Sequence, residues 1–220
     1  MARMRGFNAA NGTGLKSLAE GDYAQAANQF QIVVNRYRWP AAHRTIALLN
    51  LGVARQYEGR LAEALENFAE AERSSAQIQG IKAAVAVQLA LANALRGSLE
   101  TAHKWRSEAE ALVSTASDPG TVGGLLAFAT AVIDVREGRY DAFVHWLDER
   151  WQRLEGSLTA RTTRPLRVLG AFSVPQYGGV REAGSVQKAF DGLKPLRGGE
   201  FALLEAEWPE MRAFIQSHEG

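Results

Sequence analysis

The stretch Gly59–Ala64, with the sequence GRLAEA, places a large side chain two positions after a glycine and an alanine three positions later. The same pattern occurs in Gly21–Ala26 (GDYAQA) and Gly97–Ala102 (GSLETA), and in Gly138–Phe143 (GRYDAF) with phenylalanine in the last place. The four glycines recur at intervals of 38, 38 and 41 residues, and Gly178–Ala183 is a fifth candidate 40 residues further on. Regular spacing on this scale is typical of a repeat protein.

Apolar residues follow helical spacing on both sides of each glycine. Leu48 and Leu51 mark one face before Gly59, and Leu61 and Phe68 mark one face after it. A glycine between two helices ends the first one at little cost because it adopts the left-handed backbone. The small alanine of the pattern then permits close approach of the two helices. The spacing predicts helices near residues 7–19, 22–37, 41–57, 60–76, 79–96, 98–115, 119–137 and 139–155.

Composition narrows the class of protein. Thirty-seven of the 220 residues are alanine, which favours helices over strands and makes an all-β fold a poor fit. The chain has no cysteine, which excludes disulfides, thiolate nucleophiles and sulfur-based zinc sites, and its net charge of +1 gives no electrostatic case for nucleic acid. The longest uncharged runs, 83–95 and 121–133, are 13 residues each, too short to span a bilayer. We therefore expect a soluble, cytoplasmic protein without membrane insertion.

The repeated unit resembles the tetratricopeptide repeat (TPR), a helix–turn–helix unit. The likeness lies in the turn pattern, in Leu51-Gly52 of the first helix, in the phenylalanine after the turn (Phe30, Phe68) and in a small residue three positions later, such as Ala71. The resemblance implies an all-α fold, a right-handed superhelical solenoid of antiparallel helix pairs. Four repeats would occupy residues 7–155 of this continuous solenoid.

Residues 156–220 follow the pattern less closely, since prolines interrupt them. Leu169-Gly170, followed by Gly178, could begin a degenerate fifth repeat, and Pro175 would end its first helix early. The amphipathic tail, Glu200 to His218, predicts a last helix, or a helix broken at Trp208-Pro209. Because a solenoid needs its terminal apolar face covered, we expect this tail to be a C-terminal cap.

Charge is unevenly distributed in this last region. The stretch from Arg150 to Arg197 holds nine basic and three acidic residues, whereas the tail from Glu200 holds five glutamates and one arginine. One interpretation is a basic patch for an acidic partner. The favoured one is that the basic and acidic segments face each other, since stacking aromatics are not interleaved with the basic residues.

No pattern of catalytic or metal-binding residues stands out. The four histidines, His43, His103, His145 and His218, lack the spacing of metal ligands. The glycine-rich segment Asp118–Gly124 lies between helices and lacks the Lys-Ser/Thr of a phosphate loop, so it predicts an inter-repeat turn. We therefore expect no enzyme activity, no cofactor and no metal.

The resemblance to TPR proteins implies that the first helix of each repeat lines a concave wall, the usual peptide-binding face. By matching register, the residues on this wall would be Asn11, Leu15, Leu18, Leu49, Asn50, Val53, Gln56, Val87, Gln88, Leu91, Leu95, Phe128 and Val132. The wall is mostly apolar, and the amides of Asn50 and Gln88 could hold a peptide backbone. Two alternatives stay open: some of these residues are core between helices, or the chain's own tail fills the groove.

Some family members grip a C-terminal carboxylate with lysine and arginine beside asparagine. The matching positions here are Asn11, Leu15, Asn50, Ala84 and Gln88, so the cations are missing and a carboxylate-tail ligand is disfavoured.

The sequence thus predicts a non-catalytic protein–protein interaction module that binds a partner peptide or helix in an apolar groove. The alternatives are a self-associating structural scaffold, that is, a homo-oligomer, and the ligand- or peptide-sensing domain of a regulator.

Overall fold

The computed structural model describes residues 2–36, 41–74, 79–115, 120–157, 159–177 and 180–219. Within these ranges the backbone is helical, with no named strand. The α-helices are α1 (Ala2–Glu20), α2 (Tyr23–Arg36), α3 (Ala41–Tyr57), α4 (Leu61–Ser74), α5 (Gln79–Leu95), α6 (Leu99–Ser114), α7 (Gly120–Arg136), α8 (Tyr140–Ser157), α9 (Ala160–Ser173), α10 (Val180–Asp191), α11 (Ala202–Glu205) and α12 (Pro209–Gln216). A 3₁₀-helix, Val174–Gln176, follows α9.

The first eight helices confirm the all-α prediction and pack as consecutive pairs. Contacts join α1 to α2, α3 to α4, α5 to α6 and α7 to α8, and each pair also contacts the next. The largest difference from the predicted bounds is at α1, which begins at Ala2 rather than near residue 7. The prediction began at the first apolar residue, Phe7, but a helix can continue beyond its apolar face.

Four glycine turns connect the helices within these pairs. Gly21, Gly59, Gly97 and Gly138 have φ values of 81°, 77°, 79° and 75°, in the left-handed region that favours glycine. In the second turn the Gly59 N–H donates to the Gln56 carbonyl at 3.0 Å, and the next N–H donates five residues back at 2.9 Å. These two bonds form the Schellman motif, which satisfies the last carbonyls of the helix. The recurring glycine of the sequence is therefore the helix-ending residue.

A second set of glycines permits close approach of paired helices. A Cβ on Gly52 would lie 2.6 Å from Cδ1 of Phe68, whose ring is fully buried. A Cβ on Gly170 would lie 2.7 Å from Cγ1 of Val186. In both cases the contact lies 16 residues after the glycine. The α9–α10 pair therefore repeats the register of α3–α4, which agrees with a fifth repeat, although its turn glycine, Gly178, lies outside the described residues.

The C-terminal region is broken where its prolines predict. The α9 helix ends at Ser173, two residues before Pro175, because proline lacks the N–H that would continue the ladder. The tail is divided at Trp208-Pro209 into α11 and α12, as one of the two predicted forms requires.

The segment 193–208, here named the C-terminal strap, runs along the edge formed by the glycine turns. Its first part lines a cavity together with Gly21 of the first turn. The carbonyl oxygen of Ala202 lies against the second turn, 2.9 Å from where a Cβ on Gly59 would be. The strap therefore contacts successive pairs, whereas the sequence predicts a cap at one end.

Two arginines fix the far part of the strap. Arg96, beside the third turn, donates from Nε to Glu207 at 3.0 Å. Arg136, beside the fourth turn, donates to the main-chain carbonyls of Leu95 and Glu207, the latter at 2.9 Å. Its guanidinium also lies 4.0 Å from the ring centroid of Trp208. The strap is thus joined to the helix pairs by polar contacts as well as by apolar packing.

Candidate functional site

Four residues at one register position show how the predicted wall is divided. Leu15, Val53, Leu91 and Val132 each follow the small residue at the helix crossing. Leu15 is 44% exposed and Val53 is half-buried, but Leu91 is 1% exposed and Val132 is 0% exposed. The same position therefore changes from surface to core along the chain.

The C-terminal helices cause this change. Leu91 and Val132 lie in one continuous apolar cluster with Leu166 and Leu169 of α9 and Phe201 of the strap. The alternative that the chain's own C-terminal part fills the groove is therefore confirmed for this half of the wall.

Eight of the thirteen predicted wall residues are buried, so the expectation that they line an open groove is wrong for them. They are Leu18, Gln56, Val87, Gln88, Leu91, Leu95, Phe128 and Val132. Leu18 and Val87 pack between neighbouring helices, in separate clusters from the C-terminal helices. Register alone could not distinguish a groove position from a core position, because that depends on what lies opposite.

The other five predicted residues form a surface, here named the open face: Asn11, Leu15, Leu49, Asn50 and Val53. It spans α1 and α3. Asn50 Nδ2 donates to Asn11 Oδ1 at 3.2 Å, so the two half-buried amides join the helices. One N–H of each amide and the Asn50 oxygen have no further partner among the described residues. These groups are the polar centre of an otherwise apolar surface.

A second amide pair is buried and fulfils a structural role. Gln56 Nε2 donates to Gln88 Oε1 at 3.2 Å, and both side chains are buried. The Oε1 of Gln56 has no partner among the described residues. Gln88 therefore joins α3 to α5 and does not face a peptide, in contrast to the expectation from sequence.

Beside the open face lies a cleft that the sequence does not reveal, here named the Arg–Tyr cleft. It consists of an outer cavity of about 720 Å³ and an inner cavity of about 140 Å³. The two share the first glycine turn, Tyr23, Arg164 and Glu200 in their walls. Tyr57, one helical turn after Val53, lines the inner cavity, so the cleft continues from the open face.

Two tyrosines and an arginine form the inner wall of the cleft. The rings of Tyr23 and Tyr57 stack with centroids 5.0 Å apart, and the Arg161 guanidinium lies 5.8 Å from the Tyr57 centroid. Burial raises the pKa of Tyr57 to about 12, and burial also raises the pKa of Tyr23. Both phenols therefore stay neutral near pH 7, where they are hydrogen-bonding groups and poor bases.

Charged groups in the cleft are only partly satisfied. Arg164 Nε donates to Glu200 Oε1 at 2.6 Å, which confirms for this pair that the basic region faces the acidic tail. The other carboxylate oxygen of Glu200, Oε2, is buried without a partner among the described residues, and so is Nη1 of Arg161. The cleft thus holds one unused acceptor and one unused donor.

The histidines and the glycine-rich segment have structural surroundings. His145 Nε2 lies 2.9 Å from the Tyr177 hydroxyl, and His103 Nε2 lies 2.6 Å from Glu137. No group of three potential metal ligands occurs among the described side chains. Residues 120–124 form the first turns of α7, so the prediction of a turn is wrong for them, and residues 118–119 lie outside the described ranges. No described helix combines the length and apolarity needed to cross a membrane.

Comparison with known proteins identifies no matching family model, no similar curated protein and no similar solved structure. The cleft and the open face are therefore interpreted from their own geometry.

Proposed function

We propose that the chain is a non-catalytic protein-interaction module, built as a TPR-like right-handed solenoid, that binds a segment of a partner protein on the open face. The recurring glycine turns and the consecutive helix pairs support this architecture. The proposal narrows the predicted groove to the part of it that the C-terminal helices leave uncovered.

The exposure of Leu15 beside the Asn11–Asn50 pair is the observation that carries the proposal. A leucine that is 44% exposed gains free energy when a partner side chain covers it. The adjacent amides supply a donor and an acceptor at fixed positions, because the bond between them holds both side chains. Apolar burial would then supply affinity, and the amides would set the register of the partner.

The partner segment is proposed to be extended rather than helical. An extended segment has free backbone N–H and C=O groups that the amides of Asn11 and Asn50 can pair, whereas a helix satisfies most of its own. The contact area is small, so we expect modest affinity and fast dissociation.

The proposal can be tested by selecting peptides from a random display library on the immobilised full chain. Fluorescence anisotropy then measures the affinity of a selected peptide. Leu15→Glu should weaken binding at least about tenfold, because it places a charge against the apolar part of the peptide. Ile32→Glu is the matched control, since Ile32 is 53% exposed but lies on α2, outside the open face.

Asn50→Ala should weaken binding less, by about fivefold, because only hydrogen bonds are lost. If no peptide is selected, or if the selected peptide binds the Leu15→Glu variant as tightly as the unaltered chain, the open face is not the binding site.

A further inference from the structure

We propose that the Arg–Tyr cleft binds a free aromatic amino acid, with its carboxylate on Arg161, its ammonium group on Glu200 and its ring in the inner cavity. This inference is independent of the proposed function, because it concerns a small molecule and a different set of residues. Each part of the ligand corresponds to a separate observation.

The carboxylate follows from Arg161. Its Nη1 is buried without a hydrogen-bond partner among the described residues, although Arg161 lines the inner cavity. A buried donor on a cation is costly to leave unpaired, and a carboxylate is the acceptor that fits a guanidinium best. Glu200 does not fill this role, since its Oε1 already accepts from Arg164.

The ammonium group follows from Glu200. Its Oε2 is buried and unpaired among the described residues, and Glu200 lines both cavities. A carboxylate oxygen accepts hydrogen bonds and does not donate them, so the matching ligand group is a donor, best a cation. The same oxygen disfavours a phosphate, whose two negative charges it would repel.

The aromatic ring follows from the size and lining of the inner cavity. Tyr23, Tyr57, Pro165, Phe201 and Leu203 contribute most of its wall. Its volume of about 140 Å³ is close to the roughly 150 Å³ that admits a benzene molecule in a protein core. The ring would extend the existing stack of Tyr23 on Tyr57, whose centroids are 5.0 Å apart.

The remaining charges of the cleft are compatible with a zwitterion. Lys194 lies in the outer wall but is paired with Asp191 at 2.9 Å. Arg197 lines the outer cavity and makes no ion pair with the described residues. It would attract the carboxylate end of an incoming ligand and would orient it toward Arg161.

Isothermal titration calorimetry of the full chain with three probes tests each part. The probes are L-phenylalanine, 2-phenylethylamine, which lacks the carboxylate, and 3-phenylpropanoate, which lacks the ammonium group. We expect saturable binding of L-phenylalanine and affinities about tenfold weaker for each of the other two, since each loses a charge-assisted hydrogen bond.

The variant Arg161→Gln should bind L-phenylalanine and 2-phenylethylamine with equal affinity, because it lacks the charge that distinguishes them. Arg73→Gln is the matched control, since Arg73 is exposed on α4 away from the cleft and should leave all affinities unchanged. The proposal is overturned if L-phenylalanine shows no saturable binding, or if Arg161→Gln binds it as tightly as the unaltered chain. Should that variant not fold, equal binding of all three probes to the unaltered chain overturns the proposal.

Discussion

Replacing Gly52 with alanine should destabilise the fold, although alanine is the better helix former. Gly52 lies inside α3, and a Cβ there would lie 2.6 Å from Cδ1 of Phe68. An ordinary contact of this kind is at least 3.4 Å. The Phe68 ring is 0% exposed and is surrounded by core, so it cannot move aside without disturbing its neighbours.

Two opposing effects set the magnitude. Alanine in a helix interior gains about 1 kcal/mol over glycine. Overpacking a filled core costs about 1–3 kcal/mol, and an overlap of this size against a fixed ring belongs at the upper end. The net expectation is a loss of about 1–2 kcal/mol in the free energy of unfolding.

Urea denaturation followed by circular dichroism measures this difference. Gly12→Ala is the matched control, since Gly12 lies in α1 and a Cβ there meets nothing within 4 Å. That variant should be stabilised by about 0.5–1 kcal/mol. The double variant Gly52→Ala with Phe68→Leu should recover part of the loss, because the smaller side chain leaves room for the methyl group. If Gly52→Ala proves as stable as the unaltered chain, the close approach of α3 and α4 is refuted.

Three further changes probe the core, the cleft and the strap. Leu91→Glu should destabilise the fold by about 3–5 kcal/mol in urea denaturation, because it buries an unpaired charge, and a stable variant would mean that Leu91 is exposed. Tyr57, with its pKa raised by burial from 10.0 to about 12, keeps a proton that the unfolded chain loses, so stability should be complete below pH 10 and fall by about 3 kcal/mol toward pH 12. Tyr57→Phe should abolish that part of the fall in urea titrations across this range, and an unchanged slope would contradict the burial. Arg136→Gln should speed amide hydrogen exchange in the strap by at least about tenfold, since it loses the bond to the Glu207 carbonyl and the contact with Trp208, and unchanged exchange would exclude this anchor.

The helix pairs could be predicted from sequence because their determinants are local. Gly59 ends α3 through its own φ of 77° and through bonds within six residues, so a single short pattern contains the necessary information. The break of the tail at Trp208-Pro209 was equally local, since proline acts on its own helix.

The functional surfaces could be predicted only in part, because they depend on contacts between distant segments. Leu15 and Leu91 occupy the same register position, yet only the packing of α9 and the strap makes one exposed and the other buried. The Arg–Tyr cleft joins Tyr23, Tyr57 and Arg161, which are far apart in the chain. The excess of basic residues between Arg150 and Arg197 was the only sequence signal for it.

The division of the face into an open and a covered half is the central claim, and cysteine labelling tests it most directly. The chain contains no cysteine, so single Leu15→Cys, Val53→Cys, Leu91→Cys and Val132→Cys variants can each report one register position. The measurement is the rate of reaction with a thiol reagent under native conditions, relative to the rate in denaturant. We predict fast labelling at position 15, intermediate labelling at 53, and labelling at 91 and 132 at least about a hundredfold slower, because a buried thiol reacts only when the structure opens. Labelling at 91 or 132 as fast as at 15 would show that the C-terminal helices do not cover the face, and would contradict the account.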